Sequence, residues 1–148
     1  MPTVRDILAH KSDTTVHSIA AASSCLDAVK KMSQLRIGSL VVTGPDGALV
    51  GIVTERDILW HVVAHPADVA VVPVSDVMTR DVVVCTPEDD LNAIRSIIRS
   101  RYVRQVPVVS EDGNLLGIIS IGDVNAFQIT ESETTIRFMT DYVRGDVR

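Results

Sequence analysis

The sequence predicts an α/β fold of the α+β kind, built from two repeats with the order strand, helix, strand, strand, helix. Three observations predict it. The segment GIVTERD at residues 51–57 recurs as GIISIGD at residues 117–123, so position 117 minus position 51 gives an offset of 66. An Asp-Gly pair between two apolar runs, a hairpin signal, precedes each copy. Aliphatic residues dominate and aromatic residues make up 3% of the chain, which is typical of buried strands covered by helices. A repeat in a chain of 148 residues indicates two copies of one supersecondary unit.

The first repeat is assigned from local signals. Alternating apolar residues indicate strands, three- and four-residue apolar spacing indicates an inward helix face, and proline ends a helix. The predicted elements are a helical turn at 4–8, a strand at 15–19, a helix with Leu26, Val29, Met32 and Leu35 facing inward, strands at 37–42 and 49–53, and a helix from Asp57 that stops before Pro66.

The second repeat is assigned in the same way. Thr86 is predicted as a helix N-cap because Pro87 and two acidic residues follow it. The predicted elements are a helical turn at 74–78, a strand at 80–84, a helix with Leu91, Ile94, Ile97 and Ile98 inward, strands at 103–108 and 115–119, and a helix from Asp123 to about Arg144 with Gly145 at C′.

These elements predict repeats at 1–65 and 74–126, a connection at 66–73 and a C-terminal helical extension at 127–148. A half of about 60 residues does not easily close a core alone. We therefore expect the two repeats to pack sheet to sheet with approximate twofold symmetry. The extension carries apolar residues on roughly one side, beyond what the second repeat needs: Phe127, Ile136, Met139 and Val143.

Composition and charge argue against several classes of protein. The net charge of −5 disfavours a nucleic-acid binder. No apolar run reaches the length of about 18 residues that a membrane span needs, and the N-terminus lacks an apolar signal core, so we expect a cytoplasmic protein with no membrane partner. Two cysteines, Cys25 and Cys85, are too few for a disulfide framework. The histidines His10, His61 and His65 form no metal-ligand pattern.

The repeated segments place a hydroxyl residue three positions before an aspartate: Thr54 before Asp57, and Ser120 before Asp123. We call residues 54–57 the first Asp turn and residues 120–123 the second Asp turn. Such a pair is a capping-box pattern at a helix start, where the helix dipole also favours an acid. The same groups suit a ligand, because a carboxylate can accept ribose hydroxyls and helix N-terminal amides suit phosphate. The two interpretations are compatible.

The sequence resembles a tandem pair of cystathionine-β-synthase-type (CBS) domains, known as a Bateman module, over essentially its whole length from Val4 to about Val124. It is also similar to the small stand-alone members, in which a C-terminal helix follows the segment SIGDV. The matching segments are DIL at 6–8 and DVM at 76–78, LDAV at 26–29 and LNAI at 91–94, VPVV at 106–109, the two Asp turns, and SIGDV at 120–124.

The resemblance implies two clefts that bind adenine nucleotides, each drawing on both repeats. In this family the Asp and Thr/Ser positions of the turns bind ribose and phosphate. One cleft would combine Thr54, Arg56 and Asp57 with Arg80, Asp81, Val82, Val103 and Arg104. The other would combine Ser120, Gly122 and Asp123 with Thr15, Val16, His17, Ile37 and Gly38.

The two implied clefts differ in charge. Arg56 and Arg104 would supply charge-assisted bonds to phosphate in the Asp57 cleft. The matched positions of the Asp123 cleft are Gly122 and Gly38, which allow close backbone approach but bring no charge. The hypothesis is that the Asp57 cleft prefers the more phosphorylated ligand.

The function implied is regulatory: an energy or redox sensor that binds AMP, ADP, ATP or NAD(H), with no catalytic residues and no catalytic cofactor. The apolar C-terminal extension favours a homodimer, and the regulated protein is unknown. The alternative from a different class is an interaction module whose clefts stay empty and whose C-terminal helix docks a partner.

Overall fold

The computed structural model describes residues 1–66 and 68–145. Parts of the predicted connection at 66–73 and of the extension at 127–148 therefore lie outside the described residues. The elements are α1 (Val4–His10), β1 (Ser18–Ala20), α2 (Cys25–Leu35), β2 (Ser39–Thr43), β3 (Leu49–Thr54), α3 (Glu55–Ala64), a 3₁₀ turn (Val74–Asp76), α4 (Leu91–Arg101), β4 (Gln105–Val109), β5 (Leu115–Ser120) and α5 (Ile121–Arg144). Mixed helices and small sheets confirm the α+β class.

The chain divides into two compact units that interleave along the sequence. A terminal unit contains Met1–Thr14, Cys85–Val106 and the chain from Ile118 onward. A central unit contains Thr15–Val84 and Pro107–Gly117. The division into repeats at residues 65 and 74, and their packing sheet to sheet, stay predictions.

The central unit holds a three-stranded sheet in the order β1-β2-β3, with β1 parallel and β3 antiparallel to β2. The buried strand residues Leu40, Val42 and Val53 form one core cluster with Ala28 and Met32 of α2. Burying each of the leucine, valine and methionine side chains contributes roughly 1.5–3 kcal/mol. This sheet fixes the position of the first Asp turn, because β3 ends at Thr54.

Both predicted Asp-Gly hairpins are present. The second glycine-containing turn joins β4 and β5 as the first joins β2 and β3. Gly47 and Gly113 have φ values of +81° and +82°, a region that L side chains avoid and glycine adopts freely. The return strands begin at Leu49 and Leu115 as predicted. The prediction of the α5 terminus is also confirmed, since the helix ends at Arg144 with Gly145 as its left-handed cap.

The predicted inward face of α2 is partly wrong. Val29 and Leu35 are 38% and 40% exposed, whereas Cys25, Ala28 and Met32 are buried. Positions three apart turn back by about 60° at each step on an α-helix, so four of them spread over about 180° and cannot all face one core. In α4, by contrast, Leu91, Ile94 and Ile98 are buried with the expected spacing.

Two predicted strands and one helical turn need correction. Residues 80–84 form no strand, and the N–H of Val82 donates locally to the carbonyl of Arg80 at 3.0 Å. The predicted strand at 15–19 is shortened to β1, although the His17 carbonyl accepts from Val41 N–H at 3.1 Å. Alternating side chains alone do not make a strand, because a strand also needs a partner for its backbone groups. The predicted single turn at 4–8 extends to the seven residues of α1.

The predicted N-cap Thr86 is wrong. Its N–H donates to the Asp89 carboxylate at 2.8 Å in a separate turn. Asp90 is the N-cap of α4, and its carboxylate accepts the N–H groups of Asn92 and Ala93 at 2.7 and 3.3 Å. Asp90 is the better cap because its carboxylate accepts two of the otherwise unpaired N–H donors at the start of the helix.

Cys85 gives a test of the terminal unit's packing. It is 2% exposed, and burial, reinforced by the charge of Asp89, raises the pKa of its thiol to about 12. We expect iodoacetamide to alkylate it far more slowly at pH 8 in the native than in the urea-unfolded protein, because the thiolate is the nucleophile. Since the folded state holds the proton more tightly, the free energy of unfolding should also fall as pH rises from about 9 towards about 12. Peptide mass spectrometry after timed alkylation measures the rate, and equal native and unfolded rates would contradict the buried placement.

Candidate functional site

The first Asp turn joins β3 to α3 in the central unit. The Thr54 hydroxyl accepts the Asp57 N–H at 3.1 Å, and Oδ2 of Asp57 accepts the Thr54 N–H at 3.1 Å. This reciprocal pair is a capping box. It fixes both the hydroxyl and the carboxylate at the positive end of α3.

The second Asp turn joins β5 to α5 in the terminal unit and has the same construction. The Ser120 hydroxyl accepts the Asp123 N–H at 3.0 Å, and Oδ2 of Asp123 accepts the Ser120 N–H at 2.8 Å. The capping-box interpretation of both turns is therefore confirmed. A repeated sequence has produced a repeated hydrogen-bonded turn with matching bond lengths.

In each repeat, the residue directly before the first strand of the hairpin accepts a backbone hydrogen bond from the Asp turn. The Gly38 carbonyl accepts the Glu55 N–H at 2.9 Å in the central unit. At the matched position in the terminal unit, the Arg104 carbonyl accepts the Ile121 N–H at 2.9 Å. A Cβ on Gly38 would lie 3.3 Å from Oε1 of Glu55, so glycine there leaves space for the acidic side chain at the start of α3.

A cation lies at the second Asp turn, which the sequence did not indicate. Nζ of Lys11 is 2.9 Å from Oδ2 of Asp123 and 2.8 Å from the Ile118 carbonyl oxygen. Gly122 and Gly38 bring no charge to the predicted cleft, but Lys11, which was not among the predicted residues, brings one to this turn. Lys11 follows α1 and is separated from Ile118 by 107 positions, a distance over which no local sequence pattern operates.

Arg56, the cation predicted for the first Asp turn, lies beside an aromatic ring. Its guanidinium carbon is 6.0 Å from the centroid of the Trp60 ring, at the outer limit of a cation–π contact. Both residues are exposed, with Trp60 at 65%. Arg56 is one position before Asp57 on a solvent-facing helix start, where a ligand phosphate could reach it.

The remaining predicted residues divide between the two units. Arg80 is exposed and donates to the Ser75 carbonyl at 2.8 Å. Asp81, Thr15 and Gly122 are exposed, whereas Val82, Val16, His17 and Val103 are half-buried. Ile37 and Gly38 border a hollow of about 620 Å³ between α2 and α3 that also contacts Glu55. The grouping of residues from different repeats into shared clefts stays a prediction.

The described part of the chain contains neither a metal-binding cluster nor a membrane-spanning helix. Residues 1–66 and 68–145 contain no group of three or more His, Cys, Asp or Glu residues that could hold a metal ion. In the same residues, no helix has the length and apolar character needed to cross a membrane.

The repeat coincides with two copies of a known domain family. The family model described as CBS domain matches the chain twice, at residues 3–64 and 74–128. This chain belongs to the CBS domain family. Each Asp turn falls inside one of the two matches, so the turns are equivalent parts of two CBS domains. CBS domain pairs are regulatory modules.

Relatives of this CBS pair include both curated proteins and solved structures, and the chain spans less than two thirds of the length of the first of them. The CBS domain-containing protein CBSX3, mitochondrial, of Arabidopsis thaliana is 32% identical over 123 residues, which is 80% of this chain and 59% of that relative. The crystal structure of the CBS-domain containing protein ATU1752 from Agrobacterium tumefaciens matches with a TM-score of 0.77 and 35% identity, over 84% of this chain and 91% of that one. A crystal structure of CBSX2 in complex with AMP matches with a TM-score of 0.72 and 26% identity, over 88% of this chain and 99% of that one.

Proposed function

We propose that this CBS pair binds adenine nucleotides at its two Asp turns and acts as a regulatory sensor of energy or redox state. The observation that carries the proposal is the repeated turn, which presents a hydroxyl, a carboxylate and helix N-terminal amides together. The AMP complex of the CBSX2 relative supports the ligand class. No catalytic residue and no catalytic cofactor form part of the proposal.

The chemistry assigns different ligand groups to different atoms. The capping boxes use Oδ2 of Asp57 and of Asp123, and Oδ1 is the acceptor we assign to a ribose hydroxyl. The amides at the start of α3 and α5 suit a phosphate, because the helix dipole is positive there. At the first Asp turn, Arg56 would add a charge-assisted bond to phosphate.

Thermal unfolding with AMP, ADP, ATP, NAD(H) and S-adenosylmethionine tests the proposal. A ligand that binds only the folded state adds about 2.7 kcal/mol of stability at 100-fold its dissociation constant. We expect at least one adenine nucleotide to raise the unfolding midpoint, with GTP as the matched control of equal charge. No shift with any adenine compound would contradict nucleotide binding.

An interaction module is the second candidate function, and α5 provides the observation that favours it. The apolar residues Ile136, Met139 and Val143 are between 62% and 84% exposed. Phe127 packs edge to face against His10, with ring centroids 5.7 Å apart, so the unpartnered part of the helix begins after it. In an interaction module this surface would dock a partner protein, whereas in the nucleotide sensor we propose that it supports a homodimer. Sedimentation showing only a monomer at micromolar concentration would contradict that assignment.

A further inference from the structure

The ion pair between Lys11 and Asp123 makes the two Asp turns unequal. Lys11 is 17% exposed and Asp123 is 24% exposed, so solvent screens the pair less than it screens a surface pair. The ammonium is held twice, by the Asp123 carboxylate and by the Ile118 carbonyl. All three residues belong to the terminal unit.

In residues 1–66 and 68–145, the first Asp turn has no counterpart to this ion pair. Among the described residues of the central unit, no basic side chain lies within 4.0 Å of the Asp57 carboxylate, and His61 with Asp68 forms the ion pair found there. Oδ2 of Asp57 accepts the Thr54 N–H within the capping box. Oδ2 of Asp123 accepts both the Ser120 N–H and the Lys11 ammonium.

This difference matters for ribose recognition. A hydrogen bond from a ribose hydroxyl to a carboxylate is charge-assisted, and it draws its strength from the negative charge of the acceptor. A ribose at the second Asp turn must therefore bind a carboxylate whose charge is already compensated. At the first Asp turn the same hydroxyls meet a carboxylate that has no basic partner among the described residues of the central unit.

We propose that Lys11 is a specificity-determining residue, an internal counter-ion that competes with ribose for Asp123 and makes the second Asp turn the weaker nucleoside site. The inference rests on the proposed nucleotide function and extends it. It assigns the order of occupation: the first Asp turn fills first. It also predicts that removing the ammonium equalises the two sites.

Calorimetry with adenosine tests the competition, because adenosine carries the ribose diol and no phosphate that Lys11 could bind. The background is Asp57→Asn, which leaves the second Asp turn as the intact site. We expect Lys11→Met in this background to raise the affinity for adenosine by about tenfold, the scale of one charged hydrogen bond. Lys30→Met is the matched control, since Lys30 is exposed on α2 and its loss changes the net charge equally. The Lys11→Met substitution should raise the affinity for 2′-deoxyadenosine less than it raises the affinity for adenosine.

A labelling measurement reads the ion pair without any ligand. The chain has three lysines, at positions 11, 30 and 31, so reductive methylation can be followed at each by peptide mass spectrometry. We expect Lys11 to react more slowly than Lys30 in the wild-type protein and to lose that protection in Asp123→Asn. Lys11→Gln provides a second variant if Lys11→Met fails to fold.

The outcomes of these experiments distinguish the counter-ion proposal from the proposed nucleotide function. Unchanged or lowered adenosine affinity in Lys11→Met overturns the counter-ion proposal while leaving nucleotide binding intact. Equal methylation of Lys11 and Lys30 also overturns it. If no adenine compound binds the wild-type protein while Lys11 is still protected from methylation, the proposed nucleotide function is wrong. The competition between Lys11 and ribose is then wrong as well.

Discussion

Replacing Gly51 by alanine is expected to lower the free energy of unfolding by about 3 kcal/mol, the upper end of the usual cost of overpacking. A Cβ at this position would lie 2.6 Å from Sδ of Met78 and 2.8 Å from the Thr79 carbonyl oxygen. The Met78 side chain can rotate away, but the carbonyl cannot. Thr79 is held by reciprocal backbone hydrogen bonds with Ile52, at 3.0 and 2.8 Å.

Urea denaturation of Gly51→Ala and of a matched glycine variant measures the effect. Gly122→Ala is the control, because its Cβ would meet Ser120 Oγ at 3.5 Å, an ordinary contact. In the first turn of α5, alanine should be neutral or stabilising by up to about 1 kcal/mol. A loss below about 0.5 kcal/mol in Gly51→Ala would show that this strand does not pack against residues 78 and 79 as described.

Asp57→Asn is expected to weaken AMP binding by at least about tenfold. Asparagine keeps an oxygen that can accept the Thr54 N–H, so the capping box and α3 should survive. The substitution removes the negative charge that we assign to the ribose hydroxyls. Asp123→Asn should have a smaller effect on the first binding event, because Lys11 already compensates that carboxylate.

Titration calorimetry of AMP into the wild-type protein and these variants measures the difference. Asp46→Asn is the matched control for charge, since Asp46 is exposed in the first hairpin and caps the Ala48 N–H. If Asp57→Asn and Asp46→Asn bind AMP equally well, the first Asp turn is not the ribose site. If Asp123→Asn has the larger effect, the order of the two sites is the reverse of the one proposed.

The features that the sequence predicted well are those decided by neighbouring residues. Asp46-Gly47 and Asp112-Gly113 turn the chain because glycine accepts positive φ, whatever surrounds the hairpin. The capping boxes at residues 54–57 and 120–123 need groups only three positions apart. Repetition at a fixed offset then identified the fold class and the family, since two copies of a weak motif are far more specific than one.

The features that the sequence did not predict depend on partners distant along the chain. Residues 80–84 alternate like a strand but have no strand partner. Val29 and Leu35 are apolar, yet the rotation of α2 leaves them partly exposed. Lys11 follows a short helix with no motif around it, and only the folding of the terminal unit places its ammonium against Asp123.

Titration of ¹⁵N-labelled protein with AMP, followed by amide chemical shifts, locates the bound ligand residue by residue. We expect the amides of residues 54–57 to shift at the lowest AMP concentrations and those of residues 120–123 at higher ones. Shifts confined to other parts of the chain, or no shifts at millimolar AMP, would contradict nucleotide binding at the Asp turns.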